Sequence, residues 1–272
     1  MKNNAWTSAN IPDQSGKVVV ATGSSSGIGY ETARVLANKG AETIIAVRNL
    51  EKGNAAARKI KSQNAGAIIN VMTLDVADLS SVRRFVEDFS GKYTTLDRLI
   101  NNAGVMIPPY AKTTDGFELQ FGTNHLGHFA LTGLLMPSLL ATSGSRVVTL
   151  SSNGHRTGRL NFADLQSARH YQKYTAYGRS KLANLMFTYE LQRRLSAAGA
   201  PTIAVAAHPG TARTELTRHM SALSNAAMSP RYMRSISGSC RTRRWVRCRP
   251  CAPLLIRTRL AAPITVRTGR SR

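Results

Sequence analysis

Val18-Val-Val-Ala-Thr-Gly-Ser-Ser-Ser-Gly-Ile-Gly29 decides the fold, because a short apolar run empties into three glycines and then into a helical pattern. The run reads as a buried parallel strand. Tyr30 to Lys39 carries Ala33, Leu36 and Ala37 at i, i+3 and i+4, the spacing of one helical face. A strand that turns directly into a helix presents the helix's unpaired first N–H groups and its positive dipole end. Gly23, Gly27 and Gly29 let the backbone approach an anion closely at that point, so the expected ligand is the pyrophosphate of a dinucleotide. The spacing is G-x-x-x-G-x-G rather than G-x-G-x-x-G, and glycine-rich turns of this kind also occur with no ligand.

The chain beyond Gly40 repeats the strand–helix alternation. Ala41 to Val47 is a second buried strand ending at Arg48. An acidic side chain here would hold an unphosphorylated ribose, whereas an arginine pairs with a 2′-phosphate, so NADP(H) is expected over NAD(H). Residues 51–65 form a charged amphipathic helix, and Ala67 to Leu74 a third strand that ends in Asp75 and Val76. Asp75 falls at the carboxyl edge, where open α/β sheets bind ligands, and can accept from an adenine amino group; Asp78 is expected to cap the helix that Leu79 begins. Leu96 to Ile100 is a fourth strand running into Asn101-Asn102-Ala103-Gly104, whose asparagines can bond neighbouring strands and whose small residues leave room for a flat ring.

Asp115 to Thr132 reads as one long helix with Asn124 near its middle, where asparagine costs helix propensity. His125 and His128 stand three apart on it, but with no third ligand nearby they are expected to pack rather than bind metal. Ser145 to Leu150 is a fifth strand ending in Ser151-Ser152. An irregular stretch from Asn153 to Tyr174 precedes a helical segment, Ala176 to Leu195. Thr202 to Ala207 is a sixth strand closed by His208-Pro209-Gly210. Six alternations predict an α/β doubly wound parallel sheet in three layers.

Tyr177 and Lys181 are four apart and so project from the same helical face. A phenol with a pKa of about 10 is a poor base at neutral pH. An ammonium one turn away is expected to lower that value, making Tyr177 a general acid/base. Such pairs also arise by chance, and this one gains weight from Ser152 at a strand end and Asn124 in the same crevice.

Here the chain resembles the short-chain dehydrogenase/reductase family. T-G-x-x-x-G-I-G (Thr22 to Gly29), N-N-A-G (Asn101 to Gly104), Asn124, Ser152, Y-x-x-x-K (Tyr177 to Lys181) and H-P-G (His208 to Gly210) stand in family order across residues 16–216. F-G-T-N-H-L-G-H-F-A-L-T and Y-G-R-S-K-L-A-N, with the long gap between Ser152 and Tyr177, look like the retinol-dehydrogenase-like branch, of the soluble bacterial type. The resemblance implies a Rossmann fold, NADP(H) as cofactor and a carbonyl or alcohol substrate, with no retinoid implied. Tyr177 would exchange a proton with the substrate oxygen, Ser152 would orient that oxygen, Lys181 would hold the nicotinamide ribose, and Asn124 would hold a relay water. Gly23, Ser25, Gly27, Ile28 and Gly29 would cradle the cofactor, together with Arg48, Asp75, Val76, Asn102, Ala103 and Gly104. Pro209, Gly210 and Thr214 would lie against the nicotinamide amide. Members commonly pair through the helices bearing Asn124 and Tyr177, so a homodimer or homotetramer is expected.

Charge divides the 272 residues unevenly. Residues 217–272 hold thirteen arginines with no lysine, aspartate or glutamate, more than half of the formal net charge of +23. All three cysteines, Cys240, Cys248 and Cys251, fall there, so residues 1–216 can form no disulfide and suit a cytoplasmic enzyme. Met1 to Ser15 is polar and no window reaches about 20 apolar residues, so neither a signal peptide nor a membrane anchor of the kind animal relatives carry is expected. The arginine-rich tail has three readings: a disordered nucleic-acid arm, a cysteine metal knuckle lacking a fourth ligand, or the out-of-frame translation of a GC-rich gene. The last is favoured, so nucleic acid is not an expected partner. The expected organisation is a catalytic domain over 1–216 and an irregular tail over 217–272, without the regular seventh strand. The alternative outcome is a chain that binds cofactor but is catalytically impaired.

Overall fold

A computed structural model describes residues 7–209; the tail at 217–272, its cysteines, Gly210, Thr214 and any seventh strand fall outside the described residues. Six strands, β1 (Val18–Thr22), β2 (Glu42–Val47), β3 (Ile69–Thr73), β4 (Arg98–Asn101), β5 (Arg146–Leu150) and β6 (Ile203–Ala207), form one sheet in the order β3-β2-β1-β4-β5-β6. Every pairing is parallel, with Val20 opposite Ile44 on one side and Leu99 on the other. The chain builds outward from β1 through β3, then returns to β1's other side. The carboxyl ends of β1 and β4 therefore flank the switch point, where a crevice opens.

Helices cover both faces, which is why the strands read as continuous apolar runs. Val20, Ile44, Leu99 and Val147 pack against α3 (Leu79–Ser90), α5 (Gly127–Leu134) and α6 (Met136–Leu140) through Val82, Phe85, Phe89, Leu131 and Leu139. Their neighbours Val19, Ala21, Ile100 and Val148 point the other way, onto α1 (Gly27–Ala37) through Ile28, Val35 and Leu36. Ile45 and Val47 meet α1 and α2 (Leu50–Lys61) through Ala33, Ala56 and Ile60. Asp78 caps α3, its carboxylate accepting from the Ser80 and Ser81 N–H groups. α7 (Lys173–Ala197) is the longest helix among the described residues and crosses β5 and β6. Among the described residues, no helix is long and apolar enough to cross a membrane.

The helix expected from Asp115 starts later and is interrupted. Gly116 has φ +84°, a left-handed conformation no right-handed helix admits, and Asp115 instead accepts from the Leu79 N–H. Glu118 caps the short α4 (Leu119–Phe121) through the Gln120 and Phe121 N–H groups. Gly122–Leu126 then widens into a π turn, the Gly127 N–H reaching back to the Gly122 carbonyl. Two contacts hold this bulge. The Asn124 side chain pairs both ways with the Val105 backbone, at 2.8 and 3.0 Å, and Gly127 abuts the Val76 carbonyl with no room for a Cβ.

His128 ties the bulge to the sheet. Its Nδ1 lies 3.1 Å from the Asn124 carbonyl and its Nε2 2.9 Å from the Thr22 hydroxyl. A carbonyl only accepts, so Nδ1 carries the proton and Nε2 accepts from Thr22. Thr22 Oγ1 in turn accepts the Asn102 and Ala103 N–H groups, each at 2.9 Å. Burial pushes the imidazolium from 6.5 down to about 4; the charges of Lys181 and His125 add to the fall, and the Nδ1 bond opposes it.

Between those two values the unfolded chain binds the proton and the folded chain does not. His128 therefore contributes stability above about pH 6.5 that is lost as pH falls toward 4, with a slope approaching 1.4 kcal/mol per pH unit. Comparing the parent with His128→Gln by urea unfolding, the parent's stability advantage is expected to shrink by about 2 kcal/mol from pH 7 to pH 5. An advantage that stays constant over that range refutes the assignment of a neutral imidazole.

Candidate active site

The glycines of the β1–α1 turn are spent first on chain-to-chain contact. Gly23 has φ +62°, and a Cβ there would sit 2.8 Å from the Ala103 Cα; one on Gly29 would run into the Asn102 amide. That amide donates to the Thr22 and Gly23 carbonyls at 2.8 and 3.3 Å, clamping the turn to the end of β4. Ser24 Oγ donates to the Ala21 carbonyl at 2.6 Å. The turn is thus fixed before any ligand arrives. Exposed Gly27 opens α1 behind Ser26, which makes no side-chain cap, so the first-turn N–H groups face the crevice and suit a pyrophosphate. Ser25 is half-buried at the rim, while the Ile28 side chain turns into the core, leaving its backbone to the crevice.

The small residues Ala103 and Gly104, expected to leave room for a flat ring, pack closely on their Cβ side. Ala103 meets Gly23, and a Cβ on Gly104 would lie 2.8 Å from Asn124 Oδ1 and 3.8 Å from Lys181 Nζ. Smallness at these positions lets the glycine turn and the side chains of Asn124 and Lys181 close on β4. At the other end of the crevice, Arg48 is 72% exposed, its Nη1 3.8 Å from Asp75 Oδ2, while Asp75 Oδ1 accepts the Ala77 N–H at 2.9 Å. Both line a cavity of about 360 Å³ with Val105, Tyr110 and Thr123. The Val76 side chain points away into the core beneath α3 and α5.

Ser152, Tyr177 and Lys181 converge beyond β5. Ser152 Oγ accepts the Gly154 N–H at 3.2 Å and stands near the Tyr177 hydroxyl, where it favours the ionised phenol. Gly154 lies flat against the phenol, where a Cβ would sit 3.1 Å from a ring carbon; Gly178 and Gly158 pack backbone to backbone beside it. The ring is therefore held from the side. Lys181 is buried, donates from Nζ to the Leu150 carbonyl at 3.0 Å and stands 5.9 Å from the centre of the Tyr177 ring.

Burial governs both groups, and this corrects the expectation that Lys181 lowers the Tyr177 pKa. Burial raises the phenol above its ordinary value, with the Ser152 hydrogen bond pulling partly back. Burial also brings the lysine from 10.5 down to about 8, its amine turned toward the Leu150 carbonyl. The side chain of Asn124 is likewise committed: to Val105 on both its atoms and, from Nδ2, to Ser180 Oγ at 2.9 Å. A relay water would have to be held by something other than that amide. His208 and half-buried Pro209 follow β6 at the same edge, where the Ser151 N–H bonds the Ala207 carbonyl.

Several residues that apolar periodicity does not flag build the remaining wall. Gln120, fully buried, accepts the Ile107 N–H at 2.8 Å and donates to the Tyr171 hydroxyl and the Lys173 carbonyl, each at 2.9 Å. Tyr171 passes the link on to the Pro108 carbonyl. Arg179 donates to the Asp164 and Leu165 carbonyls and to Ser167 Oγ, pinning the irregular 153–172 stretch onto α7. Its place inside the Tyr177–Lys181 stretch was the available signal. Among the described residues, no group of three or more His, Cys, Asp or Glu is placed to hold a metal ion.

The family model described as short chain dehydrogenase matches residues 17–224. Retinol dehydrogenase 11 of Mus musculus is 49% identical over 206 residues, covering 76% of this chain and 65% of that protein, so the chain spans just under two thirds of that relative's length. A crystal structure of an uncharacterized protein from Mycobacterium paratuberculosis shares 48% identity at a TM-score of 0.69, over 88% of this chain and 82% of that one. The Pseudomonas aeruginosa RhlG/NADP active-site complex, at 23% identity and a TM-score of 0.64 over 83% of this chain and 82% of that one, shares the fold. The matched residues take in all six strands and the helix bearing Tyr177 and Lys181, and on these grounds the chain belongs to the short chain dehydrogenase family, in its retinol-dehydrogenase-like branch.

Proposed function

We propose that the chain is an NADP(H)-dependent oxidoreductase acting between a carbonyl and an alcohol, with Tyr177 as its general acid/base. The observation that carries this reading is the convergence of Ser152, Tyr177 and Lys181, with the phenol packed on Gly154 and the Lys181 amine 5.9 Å from its ring, at the edge where the glycine turn ends. Bound in the crevice, the nicotinamide would supply or accept the hydride. Ser152 and Tyr177 present two hydroxyls to one substrate oxygen, and the Gly154 N–H on Ser152 Oγ holds that hydroxyl in place. Burial favours the protonated Tyr177, the form that gives a proton to a forming alkoxide when the carbonyl is reduced. Lys181 would hold the nicotinamide ribose hydroxyls.

Arg48 is the support for a 2′-phosphate. An exposed ion pair at 3.8 Å is worth little, so Asp75 leaves that guanidinium available. Pairing of two copies is supported by exposed Phe129 and Leu134 on α5 and Met186 and Tyr189 on α7, with the Phe129 ring 5.5 Å from Phe187.

Tyr177→Phe is expected to lower kcat about 10²- to 10⁴-fold for NADPH-dependent reduction of aldehydes and ketones while NADPH binding persists. A parent chain that binds NADPH yet reduces none of a broad carbonyl panel refutes the reading in favour of an impaired one. In a separate titration by nucleotide fluorescence, Arg48→Ala is expected to weaken NADPH binding about tenfold and leave NADH unchanged. Equal losses for both nucleotides would remove Arg48 from phosphate recognition.

A further inference from the structure

Beneath the catalytic lysine, one peptide oxygen serves two side chains. Leu150 ends β5, and its carbonyl accepts from Lys181 Nζ at 3.0 Å and from Asn184 Nδ2 at 3.1 Å. Both side chains are almost wholly buried, at 6% and 2% exposure. With its nitrogen committed to a carbonyl, the Asn184 amide must turn its oxygen to His125, whose Nδ1 lies 3.1 Å away and therefore carries the proton. His125 is itself boxed by the rings of Phe121, Phe129 and Phe187, at 5.2, 6.2 and 6.2 Å. Neither Asn184 nor His125 has a part in the chemistry above.

We propose that Asn184, oriented by His125, is a positioning residue for Lys181: by sharing the Leu150 carbonyl it fixes where the amine sits and how strongly that oxygen holds it. A carbonyl has two lone pairs, and the amide N–H takes one of them. Its positive end then lies beside the amine, so the same contact that docks α7 on β5 weakens the carbonyl's grip on an ammonium. The inference rests on the reading of Lys181 as a working amine of the site.

The groups facing that amine are few. Tyr177 lies on its own helix, and His128 of α5 is the histidine whose protonation the lysine's charge opposes. The π turn offers Asn124 and His125, while β5 offers the Leu150 carbonyl, with Ser151 Oγ just beyond it bound to the Lys181 carbonyl. The 153–157 turn brings His155, bound to the Ser152 carbonyl, and exposed Arg156. β6 and α4 carry no titratable residue, and Glu118 ahead of α4 faces Arg179. None of the elements packed on α7 brings a carboxylate to the lysine.

Asn184→Asp keeps the shape and replaces the donor with a carboxylate, whereas Asn184→Leu removes both polar ends. Titration of Lys181 in the full chain, followed by NMR of its side-chain nitrogen, is expected to move upward in both variants. The shift should be about one pH unit or more for Asp and smaller for Leu. kcat should fall with little change in substrate KM. An unmoved lysine titration in both variants overturns the proposal, whatever happens to their stability. Absent turnover in the parent would count against the oxidoreductase reading alone, because the titration decides this proposal without substrate.

Discussion

The Thr22 hydroxyl is the joint on which the crevice depends. It accepts two backbone N–H groups from the end of β4 and meets His128 from the bulged helix, all within 2.9 Å. Thr22 is fully buried, so losing the oxygen would leave the Ala103 N–H without a partner, at about 1–3 kcal/mol, and the Asn102 N–H with the Ile100 carbonyl alone. Three distant stretches are thereby fixed to one atom: the glycine turn, the Asn102–Gly104 turn and the helix carrying Asn124.

Around that joint the chain is assembled by backbone contact more than by side-chain interlock. Gly23 meets Ala103, Gly127 meets the Val76 carbonyl, and Gly178 meets Gly158, each at a distance no Cβ tolerates. Such approaches leave little play. The phenol of Tyr177 is consequently located by Gly154 on one side and Ser152 at its hydroxyl. Positioning of this kind is what general acid–base chemistry needs, since a small displacement of the reacting group is costly.

The electrostatics of the site follow from its burial. Lys181 and His128 are almost wholly buried, and burial favours the neutral form of each. Their polar partners are backbone carbonyls and the Thr22 hydroxyl rather than carboxylates. A single peptide oxygen, that of Leu150, consequently stands between the amine and low dielectric, which gives the donors sharing it an influence on the lysine that surface contacts lack.

The sequence by itself determined the α/β alternation, the strand-to-helix glycine turn and the Tyr177–Lys181 pair, because these rest on local periodicity and spacing. Six apolar runs and their helical partners are legible without knowing what touches what. Tertiary structure alone decided the break in the helix at Asn124, since an amide spanning to Val105 cannot be seen from its neighbours in the chain. It also decided the work of His128, Gln120, Arg179 and Asn184, buried polar residues whose partners lie twelve or more residues away. The direction of the Tyr177 shift belongs to the same class: spacing on a helix reports the neighbour, whereas desolvation depends on everything packed around the phenol.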